Sequence, residues 1–209
     1  MSTVQAIRVM VVDDHPVVRR GIAALLETEP GLELVTEAED GRRAIQEFRT
    51  HRPDVTVMDL QMPEMDGLDA ISAIRGEFPD ARIIVLTTYA GDVQAIRAMH
   101  AGARAYMLKD SLDRELVDTI RAVYAGKKFV SPDVSYEIAE HVSDDPLTET
   151  EVRVLRLIAE GKSNKEIARV VSSTEATVKW HVRTILSKLG VEDRTHAVMV
   201  GLRRGIIEL

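Results

Sequence analysis

Five chemically capable residues follow apolar runs in this chain. Asp13 and Asp14 follow residues 7–12, Asp59 follows 55–58, Thr87 follows 82–86 and Lys109 follows 103–108. A carboxylate set directly after a buried run costs free energy unless something pairs with it or binds it. Three carboxylates brought together would repel one another, so that some stay protonated or a cation binds. A hard divalent ion such as Mg2+ prefers oxygen ligands and takes one or two carboxylates, with waters and phosphate oxygens completing its shell. One carboxylate could then act as nucleophile toward a phosphoryl group and form an aspartyl-phosphate. Mg2+ and Lys109 would offset the charge on the transferring oxygens, and Thr87 could hydrogen-bond the phosphate.

Each residue alone has an ordinary alternative. Asp13 and Asp14 could cap a helix, Asp59 could be a turn aspartate, and Thr87 could simply end a strand. Tyr106 could be plain core and Lys109 a solvated charge. Their joint placement favours the chemical reading. His51, His100, His141 and His196 have no metal-ligand spacing and read as surface or packing residues.

The surrounding pattern explains how these residues would meet. Apolar runs at 7–12, 32–36, 55–58, 82–86 and 103–108 read as strands. Between them lie helical spacings: Val17, Val18, Ile22, Leu25 and Leu26 after Pro16; Ala44, Ile45 and Phe48; Leu68, Ile71 and Ile74; and residues 92–100, closed by Gly102. Leu112, Leu116, Val117, Ile120 and Val123 mark a fifth helix. Strict alternation of strand and helix implies a parallel sheet with helices on both faces, and ligands bind such sheets at the carboxyl ends of the strands. All five residues fall at those ends.

Residues 125–146 break the alternation and read as a linker with one helix near 133–142. The remainder, 147–209, is helical throughout. Thr148 with Glu151 and Ser163 with Glu166 are capping boxes, and Thr174 can cap a third helix. The second and third of these helices are separated by a short turn at Ser172 and Ser173, a helix-turn-helix layout. The third carries Ala176, Lys179, Trp180, Arg183 and Ser187 on one face, suited to a DNA major groove. Lys165 and Thr177, near helix starts, suit phosphate contacts. The plain alternative is a solvated face on a small bundle, against which an exposed Trp argues. Ala197, Val198 and Gly201 on the fourth helix offer a small-residue face for two-fold dimerisation, or for packing within the bundle.

Composition agrees with two parts. The 209 residues carry a formal charge of −7, but 146–209 alone are net +3, with 11 Lys/Arg against 8 Asp/Glu. An acidic front and a basic back suggest different partners. The absence of cysteine excludes disulfides and thiol catalysis, and favours an intracellular, cytoplasmic protein. The first five residues lack the basic-then-apolar layout of a signal peptide, and no apolar run is long enough for a membrane span.

These motifs together resemble a two-component response regulator of the NarL/FixJ family. The receiver signature is carried by Asp13, Asp14, His15 and Pro16, by Asp59, Leu60, Gln61, Met62, Pro63, Glu64, Met65, Asp66 and Gly67, then by Thr87, Tyr106 and Lys109. A LuxR-type DNA-binding domain is resembled by Leu147, Thr148, Glu151, Val154 and Leu155, by residues 163–168, and by Thr177, Val178, Lys179, Trp180 and His181. The resemblance implies a five-stranded, doubly wound, flavodoxin-like α/β receiver over 1–124, the linker 125–146, and a small all-α, four-helix helix-turn-helix domain over 147–209. It implies Asp59 as phosphoacceptor, and Mg2+ held by Asp14, Asp59 and the backbone carbonyl of Gln61, with Asp13 acting through water. Thr87 and Tyr106 would be the switching pair, with Tyr106 turning inward on phosphorylation. The implied partners are a sensor histidine kinase, promoter DNA with two half-sites, and a second copy of the chain on activation. Beyond self-phosphorylation and dephosphorylation, no enzyme activity is implied.

Two positions depart from the family pattern. Asp110 stands where many receivers have Pro with a cis bond, which points to a trans, differently shaped loop. Ser173 stands where an apolar residue is usual, which points to a looser turn. Two other functions are compatible with parts of this pattern. An aspartyl-phosphate phosphohydrolase would place a second acid where this chain has Gln61. A constitutive DNA-binding protein would use its receiver only to dimerise.

Overall fold

The computed structural model describes residues 6–88, 90–111 and 114–207. Leu112 and the first five residues lie outside that range. Two compact units are present. One runs to Thr88 and resumes over Ala95–Ser135; the other continues from Tyr136 and includes the segment ending at Gln94.

The first unit is a parallel sheet of six strands: β1 (Ile7–Val12), β2 (Leu32–Ala38), β3 (Val55–Met58), β4 (Ile83–Thr87), β5 (Ala105–Leu108) and β6 (Phe129–Val130). Their order across the sheet is β2-β1-β3-β4-β5-β6. Five strands are expected from the sequence; the sixth lies in the stretch read as a linker. β6 pairs Phe129 with Ala105 and Val130 with Tyr106. It is too short to carry a local signal, and its register is set by β5.

Helices α1 (Pro16–Thr28), α2 (Gly41–His51), α3 (Gly67–Glu77), α4 (Asp92–Ala101) and α5 (Arg114–Tyr124) connect successive strands. Pro16 occupies the first turn of α1, where its missing N–H is no loss. Ile22 and Leu26 are the buried residues of α1, whereas Val17, counted above on its apolar face, is 82% exposed. Asp40 and Asp66 cap α2 and α3 by accepting from Arg43 N and Asp69 N, both at 2.8 Å. The strands bury Val9, Val11, Val55, Val57, Ile84, Leu86 and Met107 against Leu116, Ile120 and Val123 of α5. This near-continuous apolar character is what a strand covered on both faces requires.

After α6 (Pro132–His141) the second unit packs α7 (Glu149–Ala159), α8 (Asn164–Val170), α9 (Glu175–Lys188) and α10 (Arg194–Arg203). Both expected capping boxes are present, at Thr148 with Glu151 and at Ser163 with Glu166. Thr174 caps α9 through Thr177 N at 3.1 Å. The bundle core joins Val154, Leu155 and Ile158 to Ile167, Val178, Ile185, Ala197 and Ile207. Glu151, buried at the start of α7, meets the ammonium of Lys188 at 3.0 Å, and Lys188 also bonds Pro146 O. Among the described residues no helix is long and apolar enough to cross a membrane.

Candidate phosphoacceptor site and nucleic-acid interface

β1 and β3 are neighbours, yet the chain leaves β1 toward β2 and returns on the other side to β3. Where the order reverses in this way, the connections diverge and leave a crevice above the carboxyl ends. Asp13 and Asp59 stand there. Asp59 N donates to Val12 O at 2.8 Å, which continues the β1–β3 pairing up to the acidic residues. Asp59 is 3% exposed and Asp13 is buried beside it.

Lys109, at the end of β5, bridges the two acids. Its ammonium donates to Asp59 Oδ2 at 2.7 Å and lies 2.6 Å from Asp13 Oδ2. Burial alone would push the Lys109 pKa down, but the bonds to Asp13 and Asp59 outweigh it and hold the group above its ordinary value. At Asp59, burial pushes the pKa up against the opposing pull of Lys109. The other Asp59 oxygen accepts from Leu60 N at 2.7 Å. One ammonium thus faces two buried carboxylates and leaves the cluster net negative.

Asp14 Oδ1 is buried and takes no well-directed hydrogen bond. His15 Nδ1 lies 2.6 Å from it, a charge pairing only when the imidazole is protonated. Ligand atoms of Asp13, Asp14, His15 and Asp59 all lie within 4.8 Å of one another. A mainly oxygen donor set with surplus negative charge fits a hard divalent cation. Asp13 and Asp14 are not the helix cap considered above: the N-cap position of α1 is His15, with no side-chain capping bond, while Asp13 Oδ1 accepts from His15 N at 2.8 Å.

Thr87 is buried at the end of β4, and Tyr106 is buried on β5. Burial, reinforced by the Asp59 charge, raises the Tyr106 pKa and keeps the phenol protonated. The Tyr106 side chain lies inward, fully buried on β5. No peptide bond is cis among the described residues, and 109–111 wind into a 3-10 turn where the family pattern has Pro.

Two further residues shape this site. Gly67, the first residue of α3, packs so tightly under the loop that a Cβ there would lie 2.1 Å from Asp59 O and 2.8 Å from Leu60 Cα. Its place in the 59–67 motif is visible in the sequence; the steric reason is not. His15 touches both acids of β1, and the reading of the sequence gave it no role.

In the second unit, Lys165, Thr177, Lys179, Trp180 and Arg183 are all exposed, as are Ala176 and Ser187. Val178 and Ile185 occupy the opposite, buried side of α9. Lys179 is held by Glu175 at 3.0 Å, and the Thr177 hydroxyl meets that of Thr174 at 2.8 Å. Ser172 has φ 53°, a left-handed conformation unusual for a non-glycine residue, and Ser173 is exposed with its N–H bonded to Ala168 O. The small residues of α10 do not form a surface. Ala197 and Gly201 are buried, Val198 is half-buried against the same core, and a Cβ on Gly201 would meet Leu155 at 2.8 Å. They are small because α10 lies close against α7, so a dimer face on them is corrected. The exposed positions of α10 are Thr195, His196, Met199 and Arg203.

Residues 9–121 match the family described as "Response regulator receiver domain", and residues 145–200 match "Bacterial regulatory proteins, luxR family". The chain is 42% identical over 205 residues to the "Uncharacterized transcriptional regulatory protein YhcZ" of Bacillus subtilis, covering 94% of this chain and 95% of that protein. It is 38% identical to the "Response regulator protein VraR" of Staphylococcus epidermidis, over 97% of this chain and 100% of that one. Among solved structures it resembles RcsB from Salmonella enterica serovar Typhimurium bound to promoter P1flhDC with the phosphomimetic BeF3−. The TM-score is 0.75 at 30% identity, covering 96% of this chain and 100% of that one.

Proposed function

Because the chain belongs to the response regulators that join a receiver domain to a LuxR-type DNA-binding domain, we propose that it is a phosphorylation-switched transcription regulator of the cytoplasm. Asp59 is the phosphoacceptor and a sensor histidine kinase is the donor. The observation that carries this reading is the convergence of Asp59, Asp13 and Lys109 at the switch point of the sheet.

In this reading a carboxylate oxygen of Asp59 attacks phosphorus, and the donor leaves from the opposite side. Asp13, Asp14, Asp59 and the Gln61 carbonyl would hold Mg2+, Asp13 through water. When bound, the ion would neutralise charge on the transferring oxygens. Lys109 supplies the remaining positive charge, already desolvated beside Asp59. The added charge draws the Thr87 hydroxyl and the Lys109 ammonium toward the phosphoryl group. Tyr106, already inward, holds its place beside them. The consequence is a homodimer whose α9 helices read two half-sites, with Lys179, Trp180 and Arg183 toward base edges and Lys165 and Thr177 toward phosphates. The division of labour is a receiver over 1–124 to which β6 adds an edge strand, a joining segment that ends at residue 146, and a reader over 147–209.

The test is labelling with a small phosphodonor and Mg2+. Wild type should incorporate label, and Asp59→Asn should not. Equal labelling of the two would remove Asp59 from its role. A gel shift in which the Lys179→Ala, Arg183→Ala double variant binds DNA undiminished would remove α9.

A further inference from the structure

Trp180 is the one large apolar side chain among the exposed residues of α9, and it is 58% exposed. It sits in the second turn of the helix, between Ala176 one turn earlier and Arg183 one turn later, all three on the face away from the core. Ala176 has nothing beyond Cβ to cover the indole. His181 buttresses the ring from the side, with centroids 4.9 Å apart and planes at 68°. Thr184 turns its hydroxyl back to Trp180 O at 3.1 Å, so that group is engaged with the helix itself. The indole is therefore presented outward, supported by a half-buried neighbour, at the centre of a face flanked by Lys179 and Arg183. Aromatic rings presented in this way bind with little loss of side-chain freedom.

The chemistry of the indole restricts what it can read. It offers a flat apolar body and a single N–H donor, with no acceptor. Adenine and guanine both offer N7, and guanine also O6, to the indole N–H, but neither purine edge carries an apolar group, and cytosine offers only an amino donor. Thymine alone pairs an acceptor, O4, with an apolar C5-methyl group. We propose that Trp180 is a specificity residue that reads a thymine in each half-site by covering its C5-methyl group. The inference rests on the reading of α9 as the DNA-contacting helix and goes beyond it by naming the base and the atom recognised.

The test uses the full chain with Mg2+ and beryllofluoride. Bound sequences are selected from a random duplex pool, and each thymine of the selected site is then replaced by deoxyuridine, which removes only the methyl group. Wild type should lose about four-fold in affinity at one thymine per half-site, the effect of withdrawing one methyl from an apolar contact. Trp180→Ala should bind more weakly overall but be indifferent to deoxyuridine at that position. Trp180→Phe, which keeps an apolar ring, should stay sensitive. Replacing the T·A pair by 5-methylcytosine·G should lose less than replacing it by C·G. If every deoxyuridine is neutral, or Trp180→Ala keeps the full sensitivity, the thymine assignment is overturned while DNA binding through Lys179 and Arg183 stands. If no sequence is selected from the pool, the reading of α9 itself fails.

Discussion

Lys109 places its ammonium 2.7 Å from Asp59 Oδ2 while also lying 2.6 Å from Asp13. One cation is thus shared between two buried carboxylates at the carboxyl ends of neighbouring strands. Removing it would leave both acids buried and uncompensated. Lys109→Met should therefore destabilise the receiver by about 3 kcal/mol, the usual cost of breaking a buried ion pair on one side. Mg2+ should restore part of that loss, because it supplies charge to the same oxygens. Urea unfolding with and without Mg2+ measures both; a variant as stable as wild type in the absence of Mg2+ would contradict the assignment.

Gly67 permits the close approach of α3 to the backbone of Asp59. Gly67→Ala puts a methyl group against main-chain atoms that cannot rotate away. The expected cost is about 1–3 kcal/mol of stability, with slower labelling of Asp59 although no acid has been touched. Normal labelling at unchanged stability would show that the loop yields easily.

If the acidic cluster governs assembly, a phosphoryl analogue should change the state of the chain. Beryllofluoride with Mg2+ should raise the mass seen by light scattering and tighten DNA binding, and Asp59→Asn should do neither. An unchanged mass and affinity would favour a receiver that only dimerises.

The helical unit should lose stability in acid through Glu151. Burial raises the pKa of this carboxyl, but the Thr148 N–H, the Lys188 ammonium and the Thr148 hydroxyl together hold it below its ordinary value. A depressed carboxyl contributes stability above its unfolded pKa of about 4.3, and that contribution disappears as pH falls through the folded value. Lys188, raised mainly by its bond to Glu151, contributes below its unfolded pKa and loses that contribution only in strong alkali. Thermal unfolding should show Glu151→Gln well below wild type near pH 7, with the gap narrowing as pH falls below the unfolded value of about 4.3. A gap that does not change with pH would show that the charge on Glu151 contributes nothing.

The sequence makes the receiver sheet legible because its central strands are covered on both faces. Val55–Met58 is buried at every position, Thr56 included, and the carboxylate that follows it marks the carboxyl end. The caps of α7, α8 and α9 are equally local, each resting on one hydroxyl and an N–H three residues on. Features that depend on distant partners are not legible. Phe129 and Val130 become a strand only through β5. Ala197 and Gly201 resemble a contact surface until α7 is seen against them. The direction of the Tyr106 side chain is a rotamer choice with no trace in residue type.

β6 has a consequence for how this sheet behaves among its own copies. An open strand edge is a template for unwanted pairing, and proteins blunt such edges by shortness or by charge. Here one boundary of the sheet is only two residues long, and the other, β2, presents Glu33 and Glu37 to solvent. Neither margin offers a long neutral ladder to a neighbouring chain. Deleting β6 while neutralising Glu33 and Glu37 should thus favour fibrous or amorphous aggregation over orderly, regulated association.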